Sequence, residues 1–186
     1  MPSPAPPEDD RRRMLRLKNG DADAFAEIYR VHHPSILNFV HRLSGSLVLA
    51  EDVAQHVFMN FWTHRGDYDL DKPLPPLLLT MARNAWLNAA KREEYRKTSP
   101  LVEDLAPPPG RSGRLDPRLE QKEIEEALER GLAALEPPVR EVFILSRFHE
   151  LKYAEIAETL GVSVKTVEAR LSRALQALQE TLKDFL

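Results

Sequence analysis

The chain has no cysteine, few glycines and no long apolar run. Without cysteine there is no disulfide, no thiolate metal site and no cysteine nucleophile; a reducing compartment is permitted rather than required. The 7 glycines never fall in GxGxxG or GxxxxGK order, which removes a glycine-rich phosphate loop. No apolar stretch approaches the roughly 20 residues that cross a bilayer, so membrane insertion is not expected. The opening MPSPAPPEDDRRRM has no apolar segment behind its charges, so no secretory signal is expected there. His32, His33, His41, His56, His64 and His149 lack partners at a metal-ligating spacing such as HExxH, and the adjacent His32 and His33 would face different ways on a helix. Neither catalysis nor a metal or cofactor is expected. Positive charge is also short: 26 Lys and Arg against 29 Asp and Glu leave −3, which taken alone argues against nucleic acid.

What is abundant is proline, 15 residues in a chain of 186, and most of it is clustered. Pro2, Pro4, Pro6 and Pro7 open the chain; Pro73, Pro75 and Pro76 bracket a short loop; five lie between Pro100 and Pro117; Pro137 and Pro138 are adjacent. Proline lacks an amide donor and clashes with the preceding helical turn, so such clusters punctuate helices. The segments between are rich in Ala, Leu, Glu and Arg, with no strand-like alternation, which predicts an all-α protein. Its expected organisation is a flexible N-terminal extension (1–20), a helical lobe (21–98), a linker (99–117) and a second helical lobe (118–186). Pro107, Pro108 and Pro109 stiffen that linker toward polyproline II, while Gly110 and Gly113 loosen it.

The most informative segment is Tyr153-Ala-Glu-Ile-Ala-Glu-Thr-Leu160, Gly161-Val162-Ser163, then Val164 to Leu175. Ile156, Ala157 and Leu160 share a face; Gly161 suits the left-handed end of a helix, and Ser163 suits the cap of the next. Val167, Leu171, Ala174, Leu175 and Leu178 then form the expected buried stripe. Lys165, Thr166, Glu168, Ala169, Arg170, Ser172 and Arg173 are left for the outer faces. This is a helix-turn-helix layout, whose second helix enters a DNA major groove; the plainer reading is an antiparallel helix pair with a solvated basic face. The co-occurrence of small residue, turn glycine, Ser cap and Thr-Val favours DNA. Glu120, Glu123, Glu125, Glu126 and Glu129 read as a solvated acidic face.

Upstream, Val53, Val57, Phe58, Phe61 and Trp62 make a helical apolar stripe, with Glu51, Asp52, Gln55 and His56 largely off it. After a polar loop comes Leu77 to Arg92, whose end is basic: Arg83, Lys91, Arg92, Arg96 and Lys97 stand against Glu93 and Glu94. Such residues suit a phosphate backbone, and equally suit the dipole of a helix C-terminus. Trp86 reads as core rather than a stacking platform.

Together Ala50-Glu-Asp-Val-Ala-Gln55…Phe58…Phe61-Trp62, Ala82-Arg83-Asn84 with Lys91-Arg92, and Arg140-Glu-Val-Phe…Tyr153-Ala-Glu-Ile-Ala…Gly161-Val-Ser-Val-Lys-Thr-Val-Glu-Ala-Arg-Leu-Ser-Arg-Ala-Leu175 resemble bacterial extracytoplasmic-function (ECF) RNA polymerase sigma factors of the sigma-70 family. The resemblance spans roughly residues 20–180. It implies a factor that binds core RNA polymerase through the β′ clamp and β flap, reads promoter DNA at −35 and −10 elements, and stabilises the melted strand. Glu51, Asp52, Gln55, His56 and Phe58 would contact the polymerase; Tyr68, Arg83, Asn84, Asn88, Lys91 and Arg92 the −10 strand; and Lys165, Thr166, Glu168, Ala169, Arg170, Ser172 and Arg173 the −35 duplex. The linker would thread near the polymerase active site, with Glu103 and Asp104 mimicking nucleic-acid charge. An anti-sigma factor, a cytoplasmic location and a monomeric free state are also implied. Leu77, His56 and Asn88 depart from the family pattern, which usually has Trp, often an acidic residue and often Asp there; the PLPP run at 73–76 leaves the preferred base of the loop open. Two rivals are a sigma mimic that sequesters an anti-sigma factor, which would typically carry a receiver domain, and a one-component helix-turn-helix regulator, which would need a ligand or dimerisation domain.

Overall fold

The computed structural model describes residues 8–97, 127–181 and 183, with side chains from 9 to 92 in the first stretch. The expected linker, with Glu103, Asp104 and Pro107 to Gly113, lies outside the described residues, as do the glutamates at 120–126 and the side chains of Arg96 and Lys97. All regular structure among the described residues is helical.

Helix α1 (Glu8–Lys18) corrects the expectation of a flexible extension over residues 1–20. Its Met14 and Leu17 are buried, so it belongs to the first lobe's core. The arginines that made this segment look solvated are its fastenings. Arg16 bonds Asp21 at 2.8 Å and Glu27 at 2.9 Å, and Arg13 bonds Asp10 at 3.1 Å. Asp10, itself buried, lies 3.5 Å from His32 of the next helix. Burial pushes its carboxyl up, but His32 and Arg13 outweigh that and hold it below the usual range.

Helix α2 (Ala22–Ser44) begins at Asp21, whose carboxylate accepts from the Asp23 and Ala24 amides, and ends at Gly45 in the left-handed conformation, φ 71°. It runs through the exposed Pro34 without ending. Ala24, Ile28, His32, Ile36 and Val40 recur every fourth residue on its buried side. Helix α3 (Leu47–Thr63) is capped by Ser46, which accepts from the Leu49 amide at 3.2 Å. Helix α4 (Leu74–Lys97) carries Pro75 and Pro76 in its first turn, where their missing amides have no helical partner to lose. Its Leu74, Leu78, Leu79 and Ala82 close the first lobe's core over α2 and α3.

The second lobe contains a helical stretch at 127–134 (α5), α6 (Pro137–Arg147), α7 (Tyr153–Leu160) and α8 (Val164–Thr181). Gly131 lets α5 lie close on α8; a Cβ there would meet Leu178 Cδ2 at 2.7 Å. The turn between α7 and α8 forms as its residues dictate. Gly161 is left-handed (φ 66°), the Val162 amide returns to the Ala157 carbonyl at 3.0 Å, and the Thr166 amide donates to Ser163 Oγ at 3.1 Å. At the start of α7 the Lys152 amide donates to Glu155, 2.8 Å away.

The lobes are in contact. α4 packs on α7, and α2 on α6. None of the helices among the described residues is long and apolar enough to cross a membrane.

Candidate nucleic-acid interface

On α8 the buried residues are Val167, Leu171, Ala174 and Leu178. Lys165, Glu168, Ala169, Ser172 and Arg173 are exposed, and Thr166 and Arg170 half-buried. Leu175, expected in the stripe, is instead 41% exposed. The buried line advances by four, three and four residues, and position 175 falls one step of about 100° past Ala174, beyond what α6 and α7 cover. Lys165, Arg170 and Arg173 make no ion pair among the described residues, so three cations stand free against Glu168.

On α3, Glu51, Asp52, Gln55 and His56 form an exposed polar face. His56 Nε2 lies 3.1 Å from the Asn60 amide nitrogen. Phe58, expected beside them, corrects that expectation: it is 2% exposed. Its ring packs 4.8 Å from Tyr29 and edge-on to Phe25 at 6.4 Å, an aromatic cluster that sits inside the lobe.

On α4, Asn84, Asn88, Lys91 and Arg92 are exposed. Asn88 and Arg92 line one wall of a cleft of about 400 Å³ whose other wall holds Asp52 and His56, with Leu49, Val53, Ala85 and Ala89 at its floor. The α3 face and the α4 face are therefore continuous across that cleft. Two positions that depart from the family pattern, His56 and Asn88, meet there.

Tyr68 and Arg83 are more committed than the sequence suggested. Phe61 stacks on the Tyr68 ring at 5.0 Å, its hydroxyl reaches the Asn60 carbonyl at 3.5 Å, and burial, with Asp67 nearby, pushes the phenol up. Arg83 reaches across to the other lobe: its Nε donates to Glu141 at 3.1 Å, with side chains 22% and 5% exposed. Trp86 and Leu77 pack partly buried against the core.

The lobe–lobe seam was invisible in the sequence. Arg140 on α6 donates to the Leu43 carbonyl at the end of α2 and to carbonyls at the end of α5. Arg42 lies over the Phe148 ring at 3.8 Å. His149 pairs with Ser35 Oγ at 3.0 Å and meets Phe39 edge-on at 5.4 Å. Burial, assisted by Arg42, lowers the His149 imidazole to about 4, so it is neutral at pH 7. One signal for Glu141 was present: a lone carboxylate inside the apolar run Val139 to Leu145 of a helix needs a buried partner.

Comparison with known proteins agrees with this layout. A family model described as Sigma-70 region 2 matches residues 28–96, and one described as Sigma-70, region 4 matches residues 125–178. The ECF RNA polymerase sigma factor SigW of Bacillus subtilis is 25% identical, over 94% of this chain and 97% of its own length. The RNA polymerase sigma factor CarQ of Myxococcus xanthus is 29% identical, over 92% and 97%. Among solved structures, the sigma factor RpoE of Bartonella quintana, in complex with the anti-sigma factor NepR, superposes with a TM-score of 0.67 at 26% identity, covering 86% of this chain and 96% of its own. CnrH, in complex with the cytosolic domain of CnrY, shares the fold with a TM-score of 0.69 at 22% identity, over 95% and 99%.

Proposed function

This chain belongs to the sigma-70 family of RNA polymerase sigma factors, as an alternative factor of the ECF group that directs transcription initiation, and we propose that its surfaces divide the work by helix. The exposed α3 face of Glu51, Asp52, Gln55 and His56 docks on the β′ clamp of core polymerase. The α4 residues Asn84, Asn88, Lys91 and Arg92 hold the −10 strand, with Arg83 beside them engaged by Glu141. The α8 face reads the −35 duplex: phosphate contacts set its register and base-edge contacts discriminate sequence. Tyr68 supports the −10 loop from its place on Phe61, and Phe58 supports α3 from within.

The observation that carries this division is the pairing of free cations on α8 with a polar, largely acidic face on α3 in one chain. Neither lobe alone offers both. The net charge of −3 fits it: an acidic average keeps the free factor off bulk DNA, and polymerase supplies the remaining attraction. The factor acts in the cytoplasm, is monomeric when free and performs no chemistry itself. One solved relative, RpoE of Bartonella quintana, is bound to the anti-sigma factor NepR, which supports a partner of that kind here.

Replacing Asp52 and Gln55 together by alanine is expected to weaken binding to purified core polymerase at least tenfold while leaving binding to −35 duplex unchanged; each lost polar contact to a charged partner is worth about 1 kcal/mol or more. Undiminished polymerase binding would remove α3 from the interface.

A further inference from the structure

We propose that helix α1 is a further DNA-binding element, whose outward cations hold the phosphates of the unpaired strand where that strand leaves the −10 loop. The inference rests on the −10 reading of the loop before α4. Residues 64–73 contain Asp67, Asp69 and Asp71 but, as cations, only Arg65 and Lys72, so the loop is net negative. Both cations already have partners. Arg65 donates to the Trp62 carbonyl at 3.0 Å and lies over the Trp62 ring, and Lys72 pairs with Glu158 of α7 at 3.1 Å. A loop of that sign repels a phosphate backbone, so the positive charge that keeps a strand there has to come from its neighbours.

α1 supplies it. Arg11 Nη2 lies 3.6 Å from Asp71 Oδ1, which sets the helix beside the loop and offsets one of the loop's carboxylates. Arg11, Leu15 and Lys18 follow at spacings of four and three residues and fall within about 60° of one another around the helix, with Arg12 flanking them. Asp9, an exposed acid of α1, falls on the far side, about 160° from Arg11. Arg12 is exposed and Lys18 half-buried, and neither makes an ion pair among the described residues. Arg13 and Arg16 differ, since Asp10, Asp21 and Glu27 hold them. From Arg11 to Lys18 the row is about 10 Å long, the rise of about three stacked nucleotides of one strand. Leu15, 51% exposed between the cations, gives an unpaired base an apolar surface to rest on. An acidic protein would also suit such a row. The strand is the better occupant because Arg11 joins the row directly to the loop that holds it.

The test uses the chain assembled with core polymerase, and single-stranded oligonucleotides that this assembly selects from a random pool. These are trimmed to the −10 element or extended by about six thymidines at one end or the other, within the site sizes usual for single strands. Fluorescence anisotropy at several salt concentrations gives the affinities. Arg12→Ala with Lys18→Ala should bind polymerase and the trimmed oligonucleotide as the parent does, and lose at least about fivefold in affinity for the form extended at one end. Its salt slope on that form should fall by about 1.4, roughly 0.7 for each phosphate contact removed. Arg12→Lys with Lys18→Arg should keep both affinity and slope. Arg11 is left in place, because it also holds Asp71 and its loss would disturb the loop itself. Parent-like binding of every extended form by the alanine variant would overturn the proposal. Equal loss on trimmed and extended forms would overturn it too, as an effect of net charge alone, and loss of polymerase binding instead would make α1 a protein contact. A parent assembly that selects no oligonucleotide would overturn the −10 reading, and this proposal with it.

Discussion

Arg170→Ala combined with Arg173→Ala is expected to leave the chain folded and bound to core polymerase while weakening its hold on −35 duplex by at least about 30-fold, since a good arginine–base contact contributes about 1–3 kcal/mol. Arg173 is exposed and Arg170 half-buried at the edge of the stripe formed by Val167, Leu171, Ala174 and Leu178, and neither is engaged by an ion pair among the described residues. Removing them therefore strands no paired charge among the described residues. The form of the loss identifies the contact. Base readers would relax preference at particular positions, whereas phosphate contacts would weaken all sequences alike and reduce the salt slope by about one for each arginine. Titration of fluorescent duplexes at several salt concentrations, with circular dichroism as the folding control, makes the measurement. Equal loss of duplex and polymerase binding would mean that α8 is structural only.

Phe58→Ala should have an effect of similar size but of another kind. The ring is 2% exposed and contacts Tyr29, Phe25 and His33. Truncating a phenylalanine in such a site costs about 3–5 kcal/mol in lost burial and cavity formation. Against a typical total of about 5–15 kcal/mol, that brings the first lobe close to unfolding at 37 °C. Urea unfolding should show a midpoint displaced well below that of the parent, and Phe58→Leu should recover much of the difference. Loss of polymerase binding by Phe58→Ala with an unchanged unfolding midpoint would return Phe58 to the surface role that its place beside Gln55 and His56 suggests.

That contrast marks how far the sequence was legible. The α7–α8 turn was readable because its determinants are local: Gly161 needs only its own backbone freedom, and Ser163 needs only the Thr166 amide. The exposed face of α3 followed from helical periodicity. Phe58 was misassigned because motif adjacency groups residues by sequence, whereas helical periodicity already puts it in the apolar stripe with Val57 and Phe61. Leu175 was misassigned because periodicity predicts a stripe without saying how wide the neighbouring helices are. Helix α1 was missed because its arginines resemble a solvated tail until Asp10, Asp21 and Glu27 are seen around them. The seam depends on residues 58 positions apart or more, as in Arg83 with Glu141, and no local pattern encodes that. Its sole trace was an unexplained carboxylate in an apolar run.

The arrangement also changes the meaning of the basic surface. Among the described residues the cations of α8 make no ion pair, whereas Arg83 on α4 is matched by Glu141.

The most direct test of the account is transcription by purified core polymerase on a library of promoter fragments, with and without this chain. Start sites are expected only when the chain is present, at fragments sharing one −35 and one −10 sequence, and Arg170→Ala with Arg173→Ala should erase them. Binding to core polymerase without a start site on any fragment would contradict the account and leave a protein that occupies sigma-binding partners without initiating.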